Sequence, residues 1–185
     1  MATMVADLKV FLELSTGDAA IFDPLLVMIL DAEKVKADSY LGIKYFDVVV
    51  GTTKKFDGFR KIFALGHANV SSVSVVITAG DDQELVDDTV YVVDTVRGIL
   101  KVRSGELQAG KDAIEITFNG GYAEDNIPKD MRFAVIKQAS YEFRRRKDVG
   151  LVAVSFPDGS VSKFDTGEFL PDVMQILNKY RRIYL

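Results

Sequence analysis

The sequence predicts an α+β chain, and three observations carry that prediction. Apolar residues recur at helical spacing up to about residue 42 and again over 128–147. Between them, over 45–118, the spacing switches to two. A short hairpin and a short helix are then expected over 151–185.

The N-terminal helices come first. Val5, Leu8 and Leu12 lie on one helical face, and Ser15-Thr16-Gly17 breaks the run. Asp23-Pro24 supplies an N-cap followed by proline at the first helical position, so a second helix is expected to start there. Leu25, Met28, Ile29, Ala32, Val35 and Ile43 form its expected buried stripe, and Gly42 suits a left-handed end.

The β segment follows. Val73, Val75 and Ile77 alternate with Ser72, Ser74 and Thr78, and Asp81-Asp82 marks a turn. Val90 and Val92 alternate with Tyr91 and Val93. Arg97-Gly98 turns the chain into Ile99–Val102. Ile114, Ile116 and Phe118 alternate with Glu115 and Thr117. Short strands with regular turns predict an antiparallel unit.

Pro128 opens a helix running to about Lys147. Met131, Phe133, Ala134, Val135, Ile136, Ala139, Tyr141 and Phe143 cover most of its circumference. Such a helix has to be buried on all sides, either centrally or against a neighbouring subunit. Strands Leu151–Phe156 and Ser160–Phe164 flank the turn Pro157-Asp158-Gly159, and Asp165-Thr166-Gly167 is a candidate hinge. A last helix after Pro171 carries Val173, Ile176, Leu177 and Tyr180 on one face.

Composition narrows the function. Of 185 residues, 48% are hydrophobic and 27% charged, which supports a folded core. The net charge of −4 argues against a dedicated nucleic-acid binder. The chain has no cysteine, hence no thiolate chemistry. Residues 1–14 lack a basic segment and carry Asp7 and Glu13, which is not the pattern of a secretory signal. The longest apolar run, Leu25–Leu30, is far below the ~20 residues that span a bilayer, so no membrane association is expected.

Candidate chemistry is sparse. His67 is the one histidine, and it reads as a surface or turn residue without catalytic partners. The acids Asp81, Asp82, Glu84, Asp87 and Asp88 lack the alternation and central glycine of a calcium loop. Gly51-Thr52-Thr53-Lys54-Lys55 lacks the glycine that precedes the lysine of a phosphate loop. No catalytic, cofactor-binding or metal-binding residue is assigned, and no cofactor is expected. Two basic clusters remain, Arg144-Arg145-Arg146-Lys147 and Arg181-Arg182, holding six of the 23 positive charges. They either complement helix dipoles or contact DNA or an acidic partner.

The order of these features carries a resemblance. N-terminal helices precede Val70-Ser71-Ser72-Val73-Ser74-Val75 and a β meander. Then come Ile114-Glu115-Ile116-Thr117-Phe118-Asn119-Gly120-Gly121-Tyr122, Ile127-Pro128-Lys129-Asp130-Met131-Arg132-Phe133-Ala134, an arginine run, and Tyr180-Arg181-Arg182 near the end. From about Val5 to Leu185 this resembles the head–tail connector (adaptor) proteins of long-tailed bacteriophages and prophages. The resemblance implies a small helical bundle with an antiparallel β insertion. It implies a connector core over 1–150 (helices 4–42, insertion 45–118, helix 128–147) and a C-terminal docking arm over 151–185.

The resemblance also implies a role. The chain would be a non-enzymatic virion protein made in the host cytoplasm. It would form a ring, expected to be a dodecamer, between the portal of the filled head and the tail, and would extend the DNA channel. Its partners would be itself, the portal protein, a stopper or tail-completion (terminator) protein, and double-stranded DNA passing without sequence recognition. Val173, Ile176, Leu177, Tyr180, Arg181 and Arg182 are the expected portal contacts. Arg144, Arg145, Arg146 and Lys147 are the expected contacts to DNA or an acidic partner. The alternatives are another neck or tail-completion protein and, from a different class, a carbohydrate-binding β module, although the chain has no tryptophan.

Overall fold

A computed structural model describes residues 3–79, 82–103, 107, 110–146, 153–155, 161–163 and 169–181. The fold is α+β, as predicted. The chain divides into a helical unit, Met1–Leu41 with Ile127–Arg181, and a β unit whose main segment is Gly42–Asn126.

The helical unit is built from α1 (Met4–Phe11), α2 (Thr16–Leu41), α3 (Lys129–Arg145) and α4 (Pro171–Asn178). Thr3 caps α1, its hydroxyl accepting from the Ala6 N–H. Ser15 does the same for α2 through the Asp18 N–H, and its own hydroxyl donates to the Asp18 carboxylate. That reciprocal cap explains why α2 begins at Thr16 and not at Asp23-Pro24. Pro24 therefore sits inside the helix, where it leaves the Ala20 carbonyl without its usual N–H partner. Replacing Pro24 by alanine restores that donor. Thermal unfolding should show a gain of about 1–3 kcal/mol.

The buried stripe of α2 differs from the expected one. Leu26, Leu30, Glu33, Ala37 and Leu41 face inward, while Met28, Ala32 and Val35 are exposed. The helix is apolar on two opposite sides, and periodicity alone does not say which side meets the core. Gly42 ends the helix at φ 68°, as expected.

α3 is the central helix of this unit and packs against α1, α2 and α4. Met131, Ala134, Val135, Ile136, Ala139 and Phe143 are buried, with Gln138 and Ser140 among them. Most of its apolar circumference is thus buried within the unit, with Phe133 left exposed and Tyr141 half-buried. Edge-on ring pairs pin the neighbours: Phe22 to Phe143 with centroids 5.3 Å apart, and Phe11 to Phe133 at 5.9 Å. Two short strands, β8 (Ala153–Ser155) and β9 (Val161–Lys163), pair antiparallel where the hairpin was expected. The turn residues Pro157, Asp158 and Gly159 and the hinge residues Asp165, Thr166 and Gly167 lie outside the described residues.

The β unit contains β1 (Val49–Phe56), β2 (Ile62–Ala64), β3 (Ser71–Ala79), β4 (Asp82–Leu85), β5 (Tyr91–Asp94), β6 (Ile99–Val102) and β7 (Ile114–Gly120). One sheet runs β1-β7-β3-β4 and a second runs β2-β6-β5, all antiparallel. Alternation on β7 turns Ile114, Ile116 and Phe118 inward. They join Val75 from their own sheet and Phe63, Tyr91 and Leu100 from the other in a shared core. On β5 Tyr91 is the buried residue and Val92 is exposed, while Val90 lies in the short helical turn Asp88–Val90 just before the strand.

Candidate functional site

Of the predicted portal-contact residues, Val173, Ile176 and Leu177 sit on α4 and Tyr180 and Arg181 just after it, and the structure turns part of that face inward. Val173 and Leu177 are buried, and Ile176 and Tyr180 are half-buried. The segment is fastened within its own unit. The buried Gln138 side chain accepts the Leu170 N–H at 3.0 Å. The Tyr180 hydroxyl donates to Asp130 at 2.6 Å, which is the main reason the Asp130 carboxyl titrates below its ordinary value. Tyr40 donates to Asn178 at 2.7 Å. Lys137 and Asp172 form an ion pair. Arg181 is exposed, with its guanidinium 4.8 Å from the centre of the Tyr40 ring. Arg182 lies outside the described residues.

The arginine run ends α3. Arg146 stacks on Phe143 and Phe22, with 3.8 Å and 5.0 Å to the ring centres, and donates to the Phe143 carbonyl at 2.6 Å. That hydrogen bond covers a carbonyl the helix end leaves open. Arg145 stacks on Tyr141 and donates to its hydroxyl at 3.2 Å. Arg144 is exposed. Within the cluster, then, Arg145 and Arg146 act inside their own unit, and Arg144 faces solvent. Lys147 lies outside the described residues.

His67 corrects the sequence reading. It is 3% exposed, so it is neither a surface nor an open-turn residue. Its ring lies 5.6 Å from that of Phe118, Gly98 stands against its backbone carbonyl and Gly120 against its Cβ. Neither ring nitrogen has a hydrogen-bond partner, and the Asp47 carboxylate stands 3.6 Å from Nε2. Burial holds its pKa below 6.5, aided by repulsion from Lys54 and Lys44 and opposed by the Leu65 carbonyl and Asp47. The unfolded chain takes up a proton near pH 6.5 and the folded one resists it. Stability is therefore complete above that pH and falls as pH drops from it towards the folded value. Chemical denaturation at pH 7.5 and 5.5 should show this loss, and His67→Ala should flatten it.

The other motifs stay without chemistry. Gly51–Lys55 lies along β1, not in a loop before a helix, so it cannot cradle a phosphate. Glu84 is on β4, and Asp87 caps the short helical turn Asp88–Val90 through the Thr89 N–H. Among the described residues no group of histidine and acidic side chains is arranged to hold a metal, and no helix is long and apolar enough to cross a membrane.

Two exposed apolar surfaces were missed in the sequence. Ile21, Met28 and Val35 are exposed along α2, on the side opposite its buried stripe. Phe11 and Phe133 are exposed where α1 meets α3. The signal for the first was present as a strict seven-residue spacing.

No protein-family model and no curated protein sequence matches this chain. Solved structures do share its fold. A chain from the neck of an empty gene transfer agent (GTA) particle, computed with C6 symmetry, superposes with a TM-score of 0.66 at 19% identity. The match covers 100% of this chain and 91% of that one. A chain from the neck of the native GTA particle, computed with C12 symmetry, gives 0.63 at 19% identity with the same coverage. A chain from the virion of the native GTA particle gives 0.60 at 18%. Over its whole length, this chain has the fold of a chain found in the necks of GTA particles.

Proposed function

We propose that this chain is a structural subunit of the neck of a phage-like particle, without enzymatic activity. In this reading it forms a ring, of twelve copies, between portal and tail and extends the channel for DNA. The likeness to GTA neck chains carries the reading, because it covers 100% of this chain. The C6 and C12 symmetry of those necks supports a closed ring. The mild acidity suits a channel wall that lets DNA pass, since tight phosphate contacts would hold it back.

The buried half of α4 leaves Ile176 and Arg181 as the portion of the arm open to the portal. Arg144 is the one described arginine of its cluster free to meet DNA or an acidic partner without unpacking a ring. Cryo-electron microscopy of purified particles tests the proposal. A ring of this fold is expected next to the portal. A chain absent from the particle, or present as an isolated dimer, refutes it.

Electrostatics offer a narrower check. Arg144→Glu should leave the melting temperature within about 2 °C of the parent, as surface changes usually do. Genome retention or head–tail joining should fall if Arg144 contacts DNA or a partner. Equal, small effects on both would leave the helix-dipole role alone.

A further inference from the structure

His67 has surroundings that the neck reading does not use. Its ring is buried, and neither nitrogen finds a hydrogen-bond partner among the described residues. A buried polar group in that state is costly and calls for an account. The charged groups that act on it come from two neighbouring segments. Lys44 and Asp47 lie in the stretch before β1, and Lys54 lies on β1. The Phe118 ring and Gly120, both on β7, border it without charge.

The neighbours are already engaged with one another. Lys54 Nζ donates to the Leu65 carbonyl at 2.6 Å, the one backbone group that also acts on His67. Lys44 holds Asp47 through Oδ2, and both side chains are about half exposed. The same Oδ2 stands 3.6 Å from His67 Nε2. That gap is too long for a hydrogen bond. Closing it by about 0.8 Å reaches the ~2.8 Å of a charge-assisted one. A protonated imidazole makes Nε2–H a donor and gives the carboxylate a second cation to pair with. Lys44 loses little by letting go, because its ammonium already faces water in part.

We propose that Asp47 is the moving part of a proton switch: when His67 takes up a proton, the Asp47 carboxylate leaves Lys44 and closes on His67 Nε2. The pair offsets part of the cost of charging a buried ring, so the folded chain accepts the proton without unfolding.

The backbone around the switch joins two segments of the β unit. The Lys44 N–H donates to the Gly66 carbonyl at 3.0 Å, and the Ala68 N–H donates to the Lys44 carbonyl at 2.9 Å. The Gly121 N–H donates to the Ala68 carbonyl at 2.7 Å. A Cβ on Gly121 would lie 2.2 Å from the Asp47 carbonyl oxygen. The chain thus enters the β unit at 44–48 and leaves it at 120–122 beside His67. A displaced Asp47 is felt at both places.

His67 is the one histidine, so its imidazole signals in a nuclear magnetic resonance titration are unambiguous. The purified chain is titrated downwards from neutral pH. The imidazole midpoint should lie below 6.5, because burial outweighs the pair. The Asp47 carboxyl carbon and the Ala68 and Gly121 amides should step at that same midpoint. In Asp47→Asn the midpoint should move to lower pH and the amide steps should vanish. In Lys44→Met, which removes the competing cation, it should move to higher pH. A midpoint unchanged by Asp47→Asn would overturn the proposal. So would a parent Asp47 carbon with no step at the His67 midpoint, or a parent that loses its far-ultraviolet circular dichroism before His67 titrates. His67→Gln serves as the second variant and leaves both partners in place. Its Asp47 carbon should keep only its own acid titration, and a retained step would equally overturn the switch. None of these outcomes bears on the neck reading, which stands or falls with the particle.

Discussion

Alanine at Gly98 should unfold the β unit. Gly98 sits at φ 57° in the turn between β5 and β6, a conformation that a side chain strains. A Cβ built there would lie 1.8 Å from the His67 carbonyl oxygen and 3.3 Å from Val70. The obstruction is backbone, so no rotamer change relieves it. In the same turn the Gly98 carbonyl accepts the Leu65 N–H at 2.9 Å, so a displaced Gly98 also pulls on the segment leading into His67. Strain and displacement together should cost more than about 4 kcal/mol, in the exceptional range for one substitution. Urea unfolding followed by far-ultraviolet circular dichroism would measure it. Arg97→Ala, one residue earlier, should stay within about 1 kcal/mol. Comparable stability of the two variants would show that the turn yields more than its packing allows.

Leu177→Ala should cost about 2–5 kcal/mol in the helical unit. Leu177 is fully buried on α4, and Val173 beside it is nearly so. An eight-residue helix does not persist by itself in water, so α4 exists because these two side chains are packed. The variant separates two roles for the C-terminal arm. If α4 mainly covers its own core, the purified subunit loses stability before any partner is present. If the buried face mainly served a partner, the free subunit would melt as the parent does and only assembly would fail. Ile176→Ala provides the contrast, since that side chain is half-exposed. Its effect on free stability should be under about 1.5 kcal/mol, and its effect on assembly reports what the arm offers outward.

The sequence showed some elements plainly and hid others for physical reasons. β3, β6, β7, α3 and α4 were legible because each keeps one period over its length. α2 was legible as a helix but not in orientation. It is apolar on two sides, and of the stripe chosen from spacing Met28, Ala32 and Val35 are left open to solvent, Leu25 and Ile29 are half-buried, and only Ile43, beyond the helix end, is buried. Its start was hidden because Asp23-Pro24 imitates a helix beginning, while the working cap is Ser15. β1, β2 and β4 escaped notice. β1 is polar and lies at a sheet edge, β2 has three residues, and β4 is the acidic segment read as a turn.

The candidate site was less legible than the fold. The stripe on α4 was identified correctly as a stripe, but whether it faces core or partner depends on α3, some forty residues away in the chain. The burial of His67 depends on Gly98, Phe118 and Gly120, none of them near it in sequence. The stacking of Arg145 and Arg146, read as helix-dipole cations or as contacts to DNA or an acidic partner, was hidden because their aromatic partners, Tyr141 and Phe143, also fit the apolar pattern of α3. A charge count does not distinguish a stacked guanidinium from a solvated one.

The stacked rings of Tyr45 and Tyr122 shorten the tether between α2 and α3. Their centroids are 5.8 Å apart, nearly parallel, and the Tyr122 N–H donates to the Tyr45 carbonyl at 2.8 Å. These residues stand close to the two ends of the inserted segment, Gly42 and Asn126. While that segment is unfolded, α2 and α3 are tethered by a flexible loop of roughly 85 residues. Once the tyrosines clamp its ends together, the tether shortens to a few residues on either side. Loop closure grows with the logarithm of length, so the difference is about 2–3 kcal/mol in favour of docking α3 on α2. The coupling is reciprocal: the tyrosine clamp favours the docking of α3 on α2, and that docking favours the clamp by the same amount.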